Sequence, residues 1–167
     1  MAYLILAVFP AALIAAAIND ITSFKIPNWI SVLLISAFPV AAVATGTDFS
    51  FLWQGALLAV GMLIVGFALF AFKIAGGGDG KLLAAVAPWV GFEFLMPFLM
   101  VTALAGGAMA IAILMFRQSP IMPFYGRVPW LMEIHQSKSG IPYGVAIAVG
   151  GLTTFSETAL FSAAFGG

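Results

Sequence analysis

Residues 51–72 read FLWQGALLAVGMLIVGFALFAF, an apolar run without a charged side chain in which Gln54 is the most polar residue. A helix rises about 1.5 Å per residue, so a run of this length reaches across the roughly 30 Å hydrocarbon core of a bilayer. Apolar and polar residues do not alternate in it, as they would in a strand of a membrane β-barrel. The segment therefore predicts a transmembrane helix.

Apolar runs of similar character flank this segment on both sides. They cover residues 2–18, 26–44, 82–90, 94–116 and 141–165. The run at 82–90 is long enough to cross only when the helix begins near Asp79 and Lys81 extends its ammonium group to the membrane surface. The first run lacks the basic flank of a secretory signal, so we count it as a helix. We therefore predict an all-α polytopic membrane protein, a bundle of six transmembrane helices in a single domain over residues 1–167.

The composition excludes several classes of protein. Of 167 residues, 63% are hydrophobic and 7% are charged, and six Lys/Arg balance six Asp/Glu. Soluble domains carry about 25% charged residues. An ordinary soluble enzyme, a disordered chain and a nucleic-acid-binding protein with a basic face are therefore excluded. The absence of cysteine excludes disulfides, thiolate metal sites and a cysteine nucleophile.

The basic residues all fall in the first, third and fifth predicted loops, which alternating crossings place on one side of the membrane. They are Lys25, Lys73, Lys81, Arg117, Arg127 and Lys138. The opposite loops hold Asp48 and Glu93 and no basic residue. Because cytoplasmic loops of membrane proteins are enriched in Lys and Arg, we expect these three loops in the cytoplasm and both termini outside.

Three acidic residues belong to the predicted basic side, Glu133 in the long loop and two aspartates at helix ends. Asp20 ends the first helix, and Asp79 precedes the fourth. If the bundle brings them together, both cannot ionise cheaply, so one carboxyl keeps its proton while the other accepts a proton from water. This division of roles is the chemistry of aspartic proteolysis, in which the activated water attacks a peptide carbonyl. Position alone leaves another interpretation open, a solvated helix cap or an ion pair with Lys25 or Lys81.

Residues 76–83, around the second aspartate, read GGGDGKLL and contain a Gly-x-Gly-Asp pattern. Gly76 and Gly78 are its motif glycines, and without side chains they let backbone approach the carboxylate closely. The stretch is not a phosphate loop, because Ala75 occupies the first glycine position and Leu82 replaces the Ser or Thr that would hold magnesium.

Two further segments accompany this pattern, residues 20–29 (DITSFKIPNW) and residues 141–148 (IPYGVAIA). With these three motifs the chain resembles the type IV prepilin peptidases, intramembrane aspartyl proteases with a Gly-x-Gly-Asp signature. The likeness is closest to the short members that process Flp-type pilins (TadV/CpaA-like). It implies that Asp20 and Asp79 are the catalytic pair, and that neither a cofactor nor a metal takes part.

The resemblance also implies a substrate and a location. The substrate is a type IV (Flp-like) prepilin, a short basic leader joined to a hydrophobic helix, cut at the cytoplasmic face of the bacterial inner membrane. Larger family members carry a cysteine-bearing insertion after the first helix and also N-methylate the pilin. This chain has few residues between Asp20 and the second helix and no cysteine, so we expect peptidase activity alone. The lipid bilayer is the other expected partner, and nucleic acid is not.

The remaining polar and aromatic residues have simpler interpretations. Lys81 either acts electrostatically on Asp79 or anchors to lipid phosphate. His135, the sole histidine, is expected to be a solvated loop residue, because no second histidine completes a metal site. An aromatic belt at the membrane interfaces is expected to contain Trp29, Trp53 and Trp89.

A function from another class remains open, that of a small polytopic transporter or membrane scaffold whose acids transfer protons or pair with lysines. A helix broken at residues 76–80 would suit a transporter. A transporter predicts function that is lost when an ion gradient is collapsed. The protease predicts that the purified protein trims a prepilin.

Overall fold

The computed structural model describes residues 2–120, 128–136 and 140–165, and it is helical throughout its regular structure. The all-α prediction is therefore confirmed for this part of the chain. The helices are α1 (Ala2–Leu6), α2 (Val8–Ser23), α3 (Asn28–Ala44), α4 (Phe49–Ala71), α5 (Gly77–Gln118), α6 (Pro129–Gln136), α7 (Tyr143–Phe155) and α8 (Ala159–Phe165).

The longest helix, α5, reverses direction at Gly91. The backbone there has φ 76° and ψ 170°, a combination that only glycine adopts readily. Asp79 and Arg117 lie at opposite ends of α5, yet both line one cavity. In a straight helix they would be about 57 Å apart. α5 thus consists of a first arm, residues 77–90, and a second arm, residues 92–118, close to the two separate runs predicted from the sequence.

α7 packs against both arms of α5. A Cβ atom built on Gly151 would lie 3.6 Å from Val86 Cγ1 of the first arm, and one built on Gly150 would lie 3.0 Å from the Phe98 carbonyl oxygen of the second. Small residues at a helix interface allow this close approach. α7 therefore joins the two arms into one bundle.

Three helices of the described chain are long and apolar enough to cross a membrane. They are residues Tyr3–Ser23, Phe49–Ala71 and Gly77–Gln118, and the pair Tyr143–Phe155 and Ala159–Phe165, bent by 44°, makes a fourth if it forms one span. Asn28–Ala44 is apolar but shorter. A multi-pass membrane protein is supported. The predicted count of six spans is not confirmed, because only three of the described helices, or four with the bent pair, are long and apolar enough to be counted as spans.

The basic residues that the structure describes collect at one end of the bundle. Four of them, Lys25, Lys73, Lys81 and Arg117, line a single cavity, while Arg127 and Lys138 lie outside the described residues. At the other end, the ring of Tyr3 lies 4.8 Å from that of Phe165 between centroids. The two terminal helices thus meet at the end remote from the basic cavity.

The core of the bundle is built around Trp89, which is fully buried. Its indole N–H donates a hydrogen bond to the Leu34 carbonyl oxygen at 3.0 Å, and its ring lies 5.2 Å from that of Phe9. The expectation that Trp89 belongs to an interfacial belt is therefore wrong, because the first arm of α5 lies inside the bundle. Trp29 and Trp53 are 57% and 60% exposed, which fits an interfacial position.

Candidate active site

Asp20 lies in the last turn of α2 and is 4% exposed. The backbone N–H of Gly144, in the first turn of α7, donates a hydrogen bond to Asp20 Oδ2 at 2.6 Å. A Cβ atom on Gly144 would lie 2.8 Å from that same oxygen and 2.9 Å from Ile26 Cδ1. Only glycine therefore lets α7 approach close enough to place its N–H on this carboxylate.

Asp79 is the third residue of α5, and its carboxylate turns back to the start of the helix. Asp79 Oδ2 accepts a hydrogen bond from the Gly76 backbone N–H at 3.0 Å. A Cβ atom on Gly76 would lie 2.9 Å from that oxygen, so the first motif glycine leaves room for the carboxylate. Unpaired N–H groups at a helix N-terminus stabilise a negative charge there.

A second glycine contact fixes where this helix begins. A Cβ atom on Gly66 of α4 would lie 2.5 Å from the Cα of Gly80, and one on Gly80 would lie 2.9 Å from the Cα of Gly66. The backbones of α4 and α5 therefore touch one residue after Asp79. This contact fixes the position of the Asp79 carboxylate along the axis of α4.

Ile26 connects the three sequence motifs. It follows α2, and its side chain lies against Gly78 of the Gly-x-Gly-Asp motif, where an added Cβ would be 3.3 Å from Ile26 Cβ. The same side chain contacts Gly144 of the last motif. The motifs are distant in sequence, but they meet around one side chain.

The structure brings the two predicted aspartates together. Asp20, from α2, and Asp79, from α5, line the same cavity. Within the described chain, one oxygen of each accepts a backbone hydrogen bond. Two carboxylates on one cavity are groups of the kind that can divide the roles of acid and base toward a water molecule.

The cavity has a volume of about 1420 Å³ and is open to its surroundings. That volume exceeds the roughly 300–1,000 Å³ of sites for small ligands, so it offers room for a longer, chain-like substrate. Its walls combine the two acids and the four basic residues named above with apolar side chains. The apolar part includes Ile26, Pro27, Phe70, Ile74 and Ile141.

Lys81 lies in the cavity wall, and its ammonium group donates a hydrogen bond to Asn28 Oδ1 at 3.1 Å. This contact joins the first arm of α5 to the start of α3. Neither predicted role, an electrostatic effect on Asp79 or an anchor to lipid, is tested by it.

His135 is not among the residues that line the cavity with the two aspartates. Its Nε2 atom is 2.9 Å from the Ser119 carbonyl oxygen, and its ring meets that of Phe116 edge to face at 5.2 Å. The side chain is partly buried, so the expectation of a solvated loop residue is wrong. Among the residues that the structure describes, no three metal-ligating side chains come together.

Sequence reasoning missed two residues of the cavity region. The sequence marks Gly144 only as part of a motif, because its contact with Asp20 spans 124 positions. It marks Arg117 only as a loop charge, although the guanidinium group of Arg117 donates to backbone carbonyls beside the cavity. A lone arginine at the end of an apolar run was the only local signal for it.

Comparison with known proteins gives a family match over much of the chain. The model of the type IV leader peptidase family matches residues 7–111, a range that contains both aspartates. A prepilin leader peptidase/N-methyltransferase of Aeromonas hydrophila is 32% identical over 97 residues, which are 54% of this chain and 28% of that protein. The chain thus corresponds to less than a third of that relative. No solved structure matches.

Proposed function

Because this chain belongs to the type IV leader peptidase family, we propose that it is an aspartyl endopeptidase that removes the leader peptides of type IV prepilins. One observation carries the proposal. Asp20 and Asp79 come from different helices and line one open cavity at the basic end of the bundle. The family supports a leader peptidase, and the paired carboxylates supply a chemical means of peptide hydrolysis.

In the proposed mechanism, the two carboxyl groups share one proton and hold the hydrolytic water. The ionised carboxylate takes a proton from the water as the oxygen attacks the scissile carbonyl carbon. The protonated partner donates its hydrogen to the developing oxyanion. As the tetrahedral intermediate collapses and the C–N bond breaks, the carboxyl group that took the water proton passes it to the departing amine. The other carboxylate takes back the proton it gave to the oxyanion, which leaves the new carboxyl product and restores the pair. The Gly144 and Gly76 N–H groups keep the two carboxylates in place.

We propose that the scissile bond lies at the cytoplasmic face of the bacterial inner membrane. Six crossings, with both termini outside, would place every basic loop in the cytoplasm. The reversal of α5 at Gly91 supports this layout, since it gives the two arms opposite directions. The grouping of four basic residues around the cavity supports the same assignment of sides.

The proposed substrate is a Flp-type prepilin. Its hydrophobic helix would lie in the bilayer against the bundle, and its leader junction would be extended at the level of Asp20 and Asp79. Extension exposes the carbonyl to water, whereas an intact helix shields it. The short connection from Asp20 to α3 at Asn28 supports the assignment to the short members of the family. We propose peptidase activity without methylation, since this chain has no cysteine.

A cleavage assay tests the proposed function. Purified protein in detergent is incubated with a synthetic Flp-type prepilin, and the product termini are read by mass spectrometry. We expect one cut at the end of the leader, and no cut in a control peptide whose leader junction is scrambled. Failure to cut any prepilin, in detergent or in liposomes, would refute the peptidase.

A further inference from the structure

Arg117 lies in the last turn of α5 and donates hydrogen bonds to two backbone carbonyl groups. Its Nε–H donates to the Ile134 carbonyl oxygen at 2.9 Å, and its Nη2–H donates to the Gly140 carbonyl oxygen at 3.0 Å. The two acceptors belong to the end of α6 and to the segment just before α7. The planar guanidinium group has donors in a fixed fork, which suits it to hold two acceptors at once.

The segment that Arg117 holds is the one that reaches Asp20. Gly140 has φ +89°, which favours glycine, and a Cβ atom on it would lie 3.4 Å from the ring of Phe24. The Phe24 N–H in turn donates to the Asp20 backbone oxygen at 2.9 Å. Four residues after Gly140, the Gly144 N–H donates to Asp20 Oδ2. The position of Gly140 therefore sets the position of this N–H group.

We propose that Arg117 is a positioning residue for the reaction. By holding the Gly140 carbonyl it fixes the start of α7, and through the Gly144 N–H it fixes the orientation of the Asp20 carboxylate. The effect on catalysis rests on the proposed peptidase function. The contacts that connect Arg117 to Asp20 through Gly140 and Gly144 do not depend on that function. Arg117 acts through backbone groups and does not itself take part in bond cleavage.

Kinetics of three variants test this role. Arg117→Lys keeps the positive charge but loses the fork that spans two carbonyls. We expect Arg117→Lys and Arg117→Gln to lower kcat at least about tenfold with KM within about twofold, because substrate binding is retained and catalytic geometry is lost. Ser119→Ala removes a hydrogen bond to Phe116 at the same helix end and should keep the wild-type kcat. A wild-type kcat in Arg117→Lys would refute the positioning role of Arg117, because the positive charge alone would then be enough.

A double-mutant cycle tests whether the effect passes through the Gly144 contact. In the Gly144→Ala background, the bond between this N–H and Asp20 is already disturbed. Arg117→Gln should then lower kcat by less than about threefold further, since residues acting through one contact are not additive. Fully additive losses would contradict the proposed coupling.

Hydrogen exchange separates this inference from the peptidase assignment. In detergent, amides in the first turn of α7 should exchange at least about tenfold faster in Arg117→Gln than in the wild type, and at the wild-type rate in Ser119→Ala. Unchanged exchange in a folded Arg117→Gln protein would refute the coupling even if the wild type cuts prepilin. A wild type that cuts no prepilin but shows this exchange pattern would refute the peptidase and keep the coupling.

Discussion

Asp20 is held by a glycine that lies 124 positions later in the chain. Because Gly144 has no side chain, α7 comes within hydrogen-bond distance of a carboxylate that is otherwise buried. A buried carboxylate without such a donor would lose much of its solvation with no compensation. The fixed orientation of this group therefore depends on one position in another helix.

Gly144→Ala should reduce cleavage while the protein stays folded. The added methyl would meet Asp20 Oδ2 at 2.8 Å, so the carboxylate must turn away and its 2.6 Å hydrogen bond is lost. We expect kcat/KM to fall at least about tenfold, equivalent to about 1.4 kcal/mol of transition-state stabilisation. Gly107→Ala is the control, since nothing lies within 4 Å of the added atom. Equal activity in the two variants would argue against the contact.

Local patterns in the sequence predict both aspartates as candidate site residues, because each stands in a short motif at the end of an apolar run. The partners of those aspartates were harder to predict. The donor to Asp79 is three residues away at Gly76, within its own motif, but the donor to Asp20 comes from α7. The interfacial position predicted for Trp89 was wrong for a similar reason, since the burial of this side chain depends on which helices surround it and not on its neighbours in sequence.

At the scale of elements, α4 and α5 meet through backbone instead of side chains. Gly66→Ala should lower the free energy of unfolding of the detergent-solubilised protein by about 1–3 kcal/mol, the usual cost of overpacking a tight contact. The new Cβ would lie 2.5 Å from the Cα of Gly80, and backbone cannot move aside as a flexible side chain can. Gly61→Ala, on the same helix with nothing within 4 Å, should leave the unfolding midpoint nearly unchanged. Equal midpoints for the two variants would contradict this packing.

The reversal of α5 also depends on one glycine. Gly91 has φ 76° and ψ 170°, so Gly91→Ala should cost roughly 1–3 kcal/mol of stability through backbone strain. Space is not the limitation, because the nearest atom to an added Cβ is in Phe51 at 3.8 Å. The strain is measured by comparing the thermal unfolding midpoint of Gly91→Ala with that of the control Gly107→Ala. Equal midpoints would mean that the turn does not require glycine.

Most element boundaries could be predicted because apolar runs end where polar or glycine-rich stretches begin. Thus α4, observed at Phe49–Ala71, begins two residues before and ends one residue before the predicted run at 51–72. The two arms of α5 were predicted as separate helices, and the single residue that separates them could not be foreseen. Helix α6 (Pro129–Gln136) lies between the predicted runs 94–116 and 141–165, in a stretch where the sequence analysis predicts no helix.

For the whole molecule, the proposed topology makes a prediction about sidedness. The chain has no cysteine, so single cysteines can be introduced one at a time and labelled from either side of the membrane. Ser23→Cys, at the cavity, should react with a membrane-impermeant maleimide only from the cytoplasmic side. Ser50→Cys, which lines a second cavity beside α8, should react only from the opposite side. Labelling of both from one side would overturn the alternating layout.

The central claim is that Asp20 and Asp79 act as one catalytic pair, and the cleavage rates of three matched variants test it most directly. Asp20→Asn and Asp79→Asn keep the size of the side chain but cannot exchange a proton as a carboxylic acid does. Each should lower kcat at least about a hundredfold, and the double variant should be no slower than the singles.

Asp48→Asn is the matched control, because Asp48 precedes α4 at the end of the bundle remote from the basic cavity. The prediction is wild-type cleavage by Asp48→Asn and near-complete loss in both other variants, with unfolding midpoints close to that of the wild type. Wild-type cleavage by a folded Asp20→Asn or Asp79→Asn protein would contradict the account.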